Sequence, residues 1–387
     1  MFSERTNWNL EENALSRALA EARASGREIL DLTRSNPTEC GLLADADALF
    51  GALTQPDILQ YAPEPRGLPA ARTAVCRYYV DLGAPVRPER LVLTAGTSEG
   101  YSFLFGLLCN AGDEVLVPAP GYPLFEFLAD LCDVRLVPYP LLYDHGWQID
   151  LAGLAAAATQ RTRAVIVVHP NNPTGQYVAA MERAQLNTFC AQRRLALIAD
   201  EVFLDFPIEG ARAESFVANA ETLTFTLSGL SKLCGLPQMK LAWIAASGPE
   251  REVAAALERL EVIADAYLSV GTPVQVAAAR LLDGGAEFRA RATARVRTNL
   301  KELDALLAEQ TACARLRCDA GWAAVLRAPA TQSDEELAIR LVREQGVLVH
   351  PGHFYNFAQA GYLVVSLLTP ERQFAKGMRR VLAHFAG

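Results

Sequence analysis

The sequence predicts an α/β protein, a mostly parallel seven-stranded sheet covered by helices together with a smaller α+β domain. Three observations predict it. From residue 91, short and nearly continuous apolar runs of β-type residues alternate with helix-patterned segments. That is the pattern of a parallel sheet buried on both faces. A seventh run, Met239–Ala246, follows Leu227 after a connection too short for a crossover helix, so it is expected to pair antiparallel. The remainder mixes helices and strands as a small α+β unit. The expected division is residues 1–44 as an arm and part of the small domain, 45–283 as the large domain, and 284–387 as the small domain.

In chain order, Glu11–Ser25 is an amphipathic helix stopped by Gly26. Ile29–Leu32 is a short strand, and SNPTECG (Ser35–Gly41) is a turn-rich loop. A proline-punctuated loop containing QYAPEPRG leads into a helix at Pro69–Leu82. The first six strands of the sheet are Leu91–Thr94, Glu114–Pro118, Val134–Tyr139, Ala164–His169, Leu195–Ala199 and Thr222–Leu227. Between most of them lie helices at Ser98–Cys109, Pro123–Asp130, Leu151–Thr159 and Met181–Arg193. After the seventh strand come helices at Pro249–Tyr267 and Thr272–Leu282, then a separate long one at Ala286–Gln310. The small domain is expected to hold strands near Ala323–Leu326, Val347–Val349 and Tyr362–Leu367, and helices at Ser333–Gln345 and Pro370–Ala386.

Composition narrows the function. At 387 residues the chain has room for two cores, and a net charge of -8 with no basic stripe speaks against nucleic acid or an acidic membrane. The basic run Arg289–Arg297 has helical spacing and is expected to be a solvated face. No apolar run reaches membrane-spanning length, and the N-terminal residues lack a signal-peptide pattern. The eight cysteines form no CxxC pair; reduced core thiols, a cytoplasmic location and no metal site are expected. Cys234 reads as a packing residue.

In an open parallel sheet, ligands bind beyond the carboxyl ends of the strands. The first strand ends in AGTSEG, where Thr97, Ser98 and a helix N-terminus suit a phosphate, although a plain N-cap has the same pattern. The second ends in PAPGYPLF, placing Tyr122 where it either stacks on a planar ring or fills core. The fourth ends in HPNNPTG, with the amides of Asn171 and Asn172. The fifth ends in ADEVF; Asp200 follows an apolar run, so its carboxylate is expected to be partly buried and to need a cationic partner. The sixth leads into TLSGLSKLCGLPQMKLAW, where Lys232 sits among small and apolar residues. A desolvated lysine has a lowered pKa and becomes an amine nucleophile able to condense with an aldehyde. A phosphorylated, planar, cationic heteroaromatic aldehyde would use all five positions. Pyridoxal phosphate is that molecule.

With AGTSEG, NNPTG followed by ADEVF, and SGLSKLCGLPQMK in this order, the chain resembles the fold-type I, class I/II aminotransferase family over nearly its whole length. The resemblance implies that Lys232 is the Schiff-base lysine and later the proton shuttle. It implies Asp200 on the pyridinium nitrogen, Asn172 on the ring 3-oxygen and Tyr122 on the ring face. Thr97 and Ser98 would hold the phosphate, with Ser228 or Ser231 nearby. Tyr61 matches a tyrosine that reaches the phosphate of the neighbouring subunit, so a homodimer is implied.

Three departures bear on chemistry and substrate. Lys240 stands where many relatives have a phosphate-binding arginine, keeping the charge but losing the planar fork. Phe203 stands where a tyrosine usually donates to the ring 3-oxygen. Val364 occupies the place of the arginine that grips the substrate α-carboxylate, so either another group such as Arg34 takes that carboxylate or the substrate is atypical. In HPGHFYNF (His350–Phe357), His353, Phe354 and Tyr355 are candidates for shaping specificity or for lid packing. The expected reaction is amino transfer from an amino acid to a 2-oxo acid. The alternative is a lyase or decarboxylase on the same scaffold. A DNA-binding regulator is disfavoured because the residues ahead of the first strand are few and not basic.

Overall fold

The computed structural model describes all residues except Leu124, Ser269, Ala386 and Gly387. Its centre is an eight-stranded sheet. In spatial order the strands are Leu91–Thr94, Ala242–Ser247, Thr224–Gly229, Ala196–Asp200, Thr162–Val168, Glu114–Ala119, Arg135–Tyr143 and Trp147–Ile149. Ala242–Ser247 runs antiparallel to both its neighbours, as its short connection requires. The expected seven strands are all present. The eighth, Trp147–Ile149, is a short edge strand that turns back on Arg135–Tyr143. Its three residues carry too little pattern to register as a strand in sequence.

The apolar runs form strands because both faces are covered. In Thr162–Val168, Val165 and Val167 enter one buried cluster while Ile166 enters another on the opposite face. Leu197 and Ile198 divide in the same way. That is the two-residue period of a strand between two helical layers. Each such side chain contributes about 1.5–3 kcal/mol on burial.

The second sheet has four strands in the order Ala314–Arg315, Ala323–Arg327, Tyr362–Ser366 and His350–Pro351, with antiparallel pairing throughout. Leu30–Asp31 pairs parallel with Val347–Leu348, which ties the N-terminal segment to this half of the molecule.

Two expectations are corrected. The helices expected at Thr272–Leu282 and Ala286–Gln310 are one helix, Thr272–Ala308. Gly284 and Gly285 do not break it. Gly285 is there for close approach, since a Cβ on it would lie 2.6 Å from Cys234 Sγ. The basic run on this helix is not simply solvated either. Arg289, Arg291, Arg295 and Arg297 donate to the carbonyls of Leu233, Leu43, Cys40 and Pro207, because the helix runs between segments whose carbonyls face it.

Candidate active site

A cavity of about 440 Å³ lies where the carboxyl ends of the parallel strands meet the four-stranded sheet. Lys232, Asp200, Asn172, Tyr122, Thr97 and Ser98 all line it. These residues come from different strand ends and meet only because the parallel strands finish on one edge.

Lys232 lies in a short helical turn, Leu230–Leu233, directly after the Thr224–Gly229 strand. Its Nζ makes no hydrogen bond or ion pair among the described residues. It stands 5.8 Å from the centre of the Phe203 ring and 5.5 Å from that of Trp322. Burial lowers its pKa, opposed in part by the charge of Asp200. An amine held in this way is readily neutral and nucleophilic.

Asp200 ends the Ala196–Asp200 strand and is 7% exposed. Oδ2 accepts from the Tyr101 hydroxyl at 3.0 Å, and Oδ1 accepts from the Val202 N–H at 3.1 Å. Among the described residues its side chain has no ion-pair partner. Burial raises its pKa from 3.8 to about 6, against the two hydrogen bonds and the charge of Lys232. A buried carboxylate left in this state is built for a cation brought by a ligand.

Four polar side chains gather at the start of the Thr97–Leu108 helix: Thr97, Ser98, Ser231 and Lys240 all line the cavity. Lys240 has a left-handed backbone, φ 53°. A Cβ placed on Gly96, the residue before the helix, would stand 3.6 Å from Lys240 Nζ. A helix N-terminus, hydroxyls and an ammonium thus line one cavity, which suits a dianion.

The paired asparagines divide the work. Asn172 lines the cavity. Asn171 is buried, and its amide donates to Pro120 O at 3.1 Å and Thr174 Oγ1 at 2.7 Å, fixing the loop that carries Tyr122. His169 is structural. Its Nδ1 accepts from the Val178 N–H, and its other nitrogen faces Glu214 O at 3.2 Å. Burial pushes its pKa down to about 3.

Residues 27–379 match the family Aminotransferase class I and II. The chain belongs to this family. Its members depend on pyridoxal phosphate. The chain is 30% identical over 261 residues to glutamate-pyruvate aminotransferase AlaA of Escherichia coli K12; the match covers 67% of this chain and spans 64% of that relative. It is 28% identical to alanine aminotransferase of Mycobacterium tuberculosis, covering 94% of this chain and 86% of that protein. Among solved structures, the alanine aminotransferase from Pyrococcus furiosus superposes with a TM-score of 0.90 at 21% identity, each chain fully covered. An aminotransferase from Escherichia coli gives 0.89 at 23% identity, covering 100% of this chain and 98% of that one. The fold is the aminotransferase fold.

The departures from the aminotransferase pattern have visible settings. Phe203 is buried edge-on against Trp322, ring centres 5.1 Å apart, and lines the cavity without a polar group. Val364 lines the cavity as well and is 2% exposed. Cys234 is buried and burial pushes its thiol up to about 12, so it packs.

Several residues named from sequence do not reach the cavity. Ser228 is buried inside its strand opposite Trp243, because its side chain falls on the wrong side of the pleat; Ser231 takes the cavity position. Arg34 leans on Asp31, Nε to Oδ2 3.6 Å, while its neighbours Thr33 and Ser35 line the cavity. His353 is exposed outside it, and from the same loop His350 and Tyr355 line it instead. Tyr61 is 71% exposed and away from the cavity of its own chain.

Sequence reading missed Tyr101, Trp322, His350 and Ser366. Tyr101 carried a usable signal. It lies one helical turn after Thr97, on the face that looks at the strand ends.

Proposed function

We propose that the protein is a pyridoxal-phosphate-dependent aminotransferase that moves an amino group from an amino acid to a 2-oxo acid. The carrying observation is the pair Lys232 and Asp200: an amine and a carboxylate, both buried, both facing one cavity, neither quenched by an ion pair of its own. The residues present fit the cofactor, since the unpartnered Asp200 carboxylate needs a cation and the hydroxyl–ammonium cluster needs an anion.

When bound, the cofactor supplies an aldehyde for amines and a cationic ring that accepts electrons from the substrate carbon. Thr97, Ser98, Ser231 and Lys240 would bind its phosphate. Asp200 would keep the ring nitrogen protonated, with Tyr101 fixing the carboxylate. Asn172 would donate to the ring oxygen, and Tyr122 would cover the ring face. Lys232 Nζ would hold the aldehyde carbon and, once displaced by the substrate amine, would carry the proton exchanged at the substrate α-carbon. Its lowered pKa makes the neutral, proton-accepting form of that amine easier to reach. Phe203 and Trp322 would give this spot an apolar wall.

We also propose a homodimer in which Tyr61 completes the neighbouring site. Tyr61, Leu59 and Phe50 are all exposed in the single chain, which supports the reading. The proposed domain division at residues 44/45 and 283/284 places the second boundary within the Thr272–Ala308 helix. A cytoplasmic location is proposed from the eight unpaired cysteines. No described helix is long and apolar enough to cross a membrane.

Incubation with pyridoxal phosphate should give a visible absorbance band. L-alanine should bleach it and pyruvate should restore it. Borohydride should fix the label on the peptide containing Lys232. A colourless protein, label on another side chain, or release of CO2 or of pyruvate with ammonia would defeat the proposal.

The phosphate assignment has its own test. Lys240→Ala should raise the Kd for pyridoxal phosphate about 10- to 100-fold. It should leave the Kd for pyridoxal, which has no phosphate, nearly unchanged. Equal losses for both would remove Lys240 from the phosphate site.

A further inference from the structure

The wall of the cavity opposite the cofactor residues is the four-stranded sheet. Val364 and Ser366 lie on one face of the Tyr362–Ser366 strand, two residues apart. His350 pairs directly with Val364 across the ladder, and Ala323 pairs with Ser366, so all four side chains share that face. All four line the cavity. No arginine lines the cavity among the described residues, and its two lysines stand at the cofactor end. His350 is therefore the imidazole that the sheet wall brings to the cavity, and burial lowers its pKa and favours the neutral ring.

We infer that His350 binds the carboxylate of the amino-acid substrate. This rests on the aminotransferase reading above, whose substrates bear a carboxylate. The imidazole is set for the task. Its Nδ1 lies 3.0 Å from the Tyr355 hydroxyl. A carboxylate at Nε2 selects the tautomer in which the Tyr355 O–H, kept protonated by burial, donates to Nδ1 and the ring proton sits on Nε2. Nε2 has no partner among the described residues, which leaves an N–H donor for the cavity. Ser366 Oγ accepts from the Leu368 N–H at 3.2 Å and keeps its own O–H free as a second donor. Asp31, the acid whose charge acts on His350, is already engaged by the Thr33 N–H and hydroxyl and by Arg34. Arg34 is thereby held off the cavity.

Tyr355 is a positioning residue in this arrangement; His350 touches the substrate. The test compares two amines that differ only in the carboxylate, L-alanine and ethylamine, by the concentration of each that half-converts the cofactor band. Wild-type enzyme should favour L-alanine by about 10- to 100-fold, the range for a hydrogen bond to a charged group. His350→Ala should bring that ratio close to one by weakening L-alanine, with ethylamine changed less than about twofold. His350→Gln, which keeps a donor, should restore part of the preference. Uptake of pyridoxal phosphate, read as the band before substrate is added, reports that each variant has folded. An unchanged ratio in His350→Ala, or equal losses for both amines, would overturn the inference while leaving the aminotransferase reading intact. Absence of the band in wild-type protein would instead remove the reading on which it stands.

Discussion

Lys232→Met should abolish amino transfer and leave the protein folded. The expected fall is about 10⁵-fold or more, because the proposed roles of holding the cofactor and moving the proton fall on one residue. The visible band should be missing, and borohydride should fix no label. The melting temperature of the cofactor-free protein should hold or rise. Methionine fills much the same volume beside Phe203 and Trp322 and removes a buried amine that has no hydrogen-bond partner. A variant that keeps its band and its activity would show that another amine does this work. A variant that unfolds would show that Lys232 is held for stability.

Asp200→Asn should separate function from stability in opposite directions. Transfer should fall about 10²- to 10³-fold, since a neutral amide cannot hold a proton on the ring nitrogen. The cofactor-free protein should gain stability at alkaline pH. The sign follows from the shift. The folded carboxyl titrates at about 6, above the ordinary 3.8, because burial penalises its charge. A group raised in this way favours the fold fully below the unfolded value and loses that contribution as pH rises through the folded one. Near pH 8 the wild-type carboxylate is charged and buried, and Asp200→Asn should be more stable by about 3 kcal/mol. Near pH 3 the gain should vanish. Urea unfolding of both cofactor-free proteins at the two pH values measures it. A gain of the same size at both would mean that ionisation is not its source. Pyridoxal phosphate should narrow the gap by giving Asp200 the cation it lacks.

The side of the cavity built from the parallel strand ends is largely legible in the sequence, and the wall built from the four-stranded sheet is not. Strands in a parallel sheet announce themselves by apolar runs, and the residue after each run has a predictable address at the rim. The shared place of Lys232, Asp200, Asn172, Tyr122, Thr97 and Ser98 on one cavity wall follows from that address. Ser228 was misplaced because one step along a strand exchanges faces, and the run TLSGLS does not reveal which serine begins the turn. His350 and Ser366 were missed because their address depends on register between strands distant in sequence. His353 drew attention in the same loop, yet only His350 is paired in the ladder with Val364. The Thr272–Ala308 helix was read as two because a Gly-Gly pair suggests an end, whereas the space beside Cys234 required a residue without a side chain.

That helix has a mechanical consequence. Its first half is packed into the core around Trp243, through Ala277 and Leu281; its second half is packed into the core around Phe374, through Val296 and Leu303. A rod clamped at both ends transmits torque. A tilt of the four-stranded sheet toward Lys232 would load this rod, and glycine at 284 and 285 eases its bending there. Gly285 lies against Cys234, two residues from Lys232, so a bend at this point would fall beside the candidate amine.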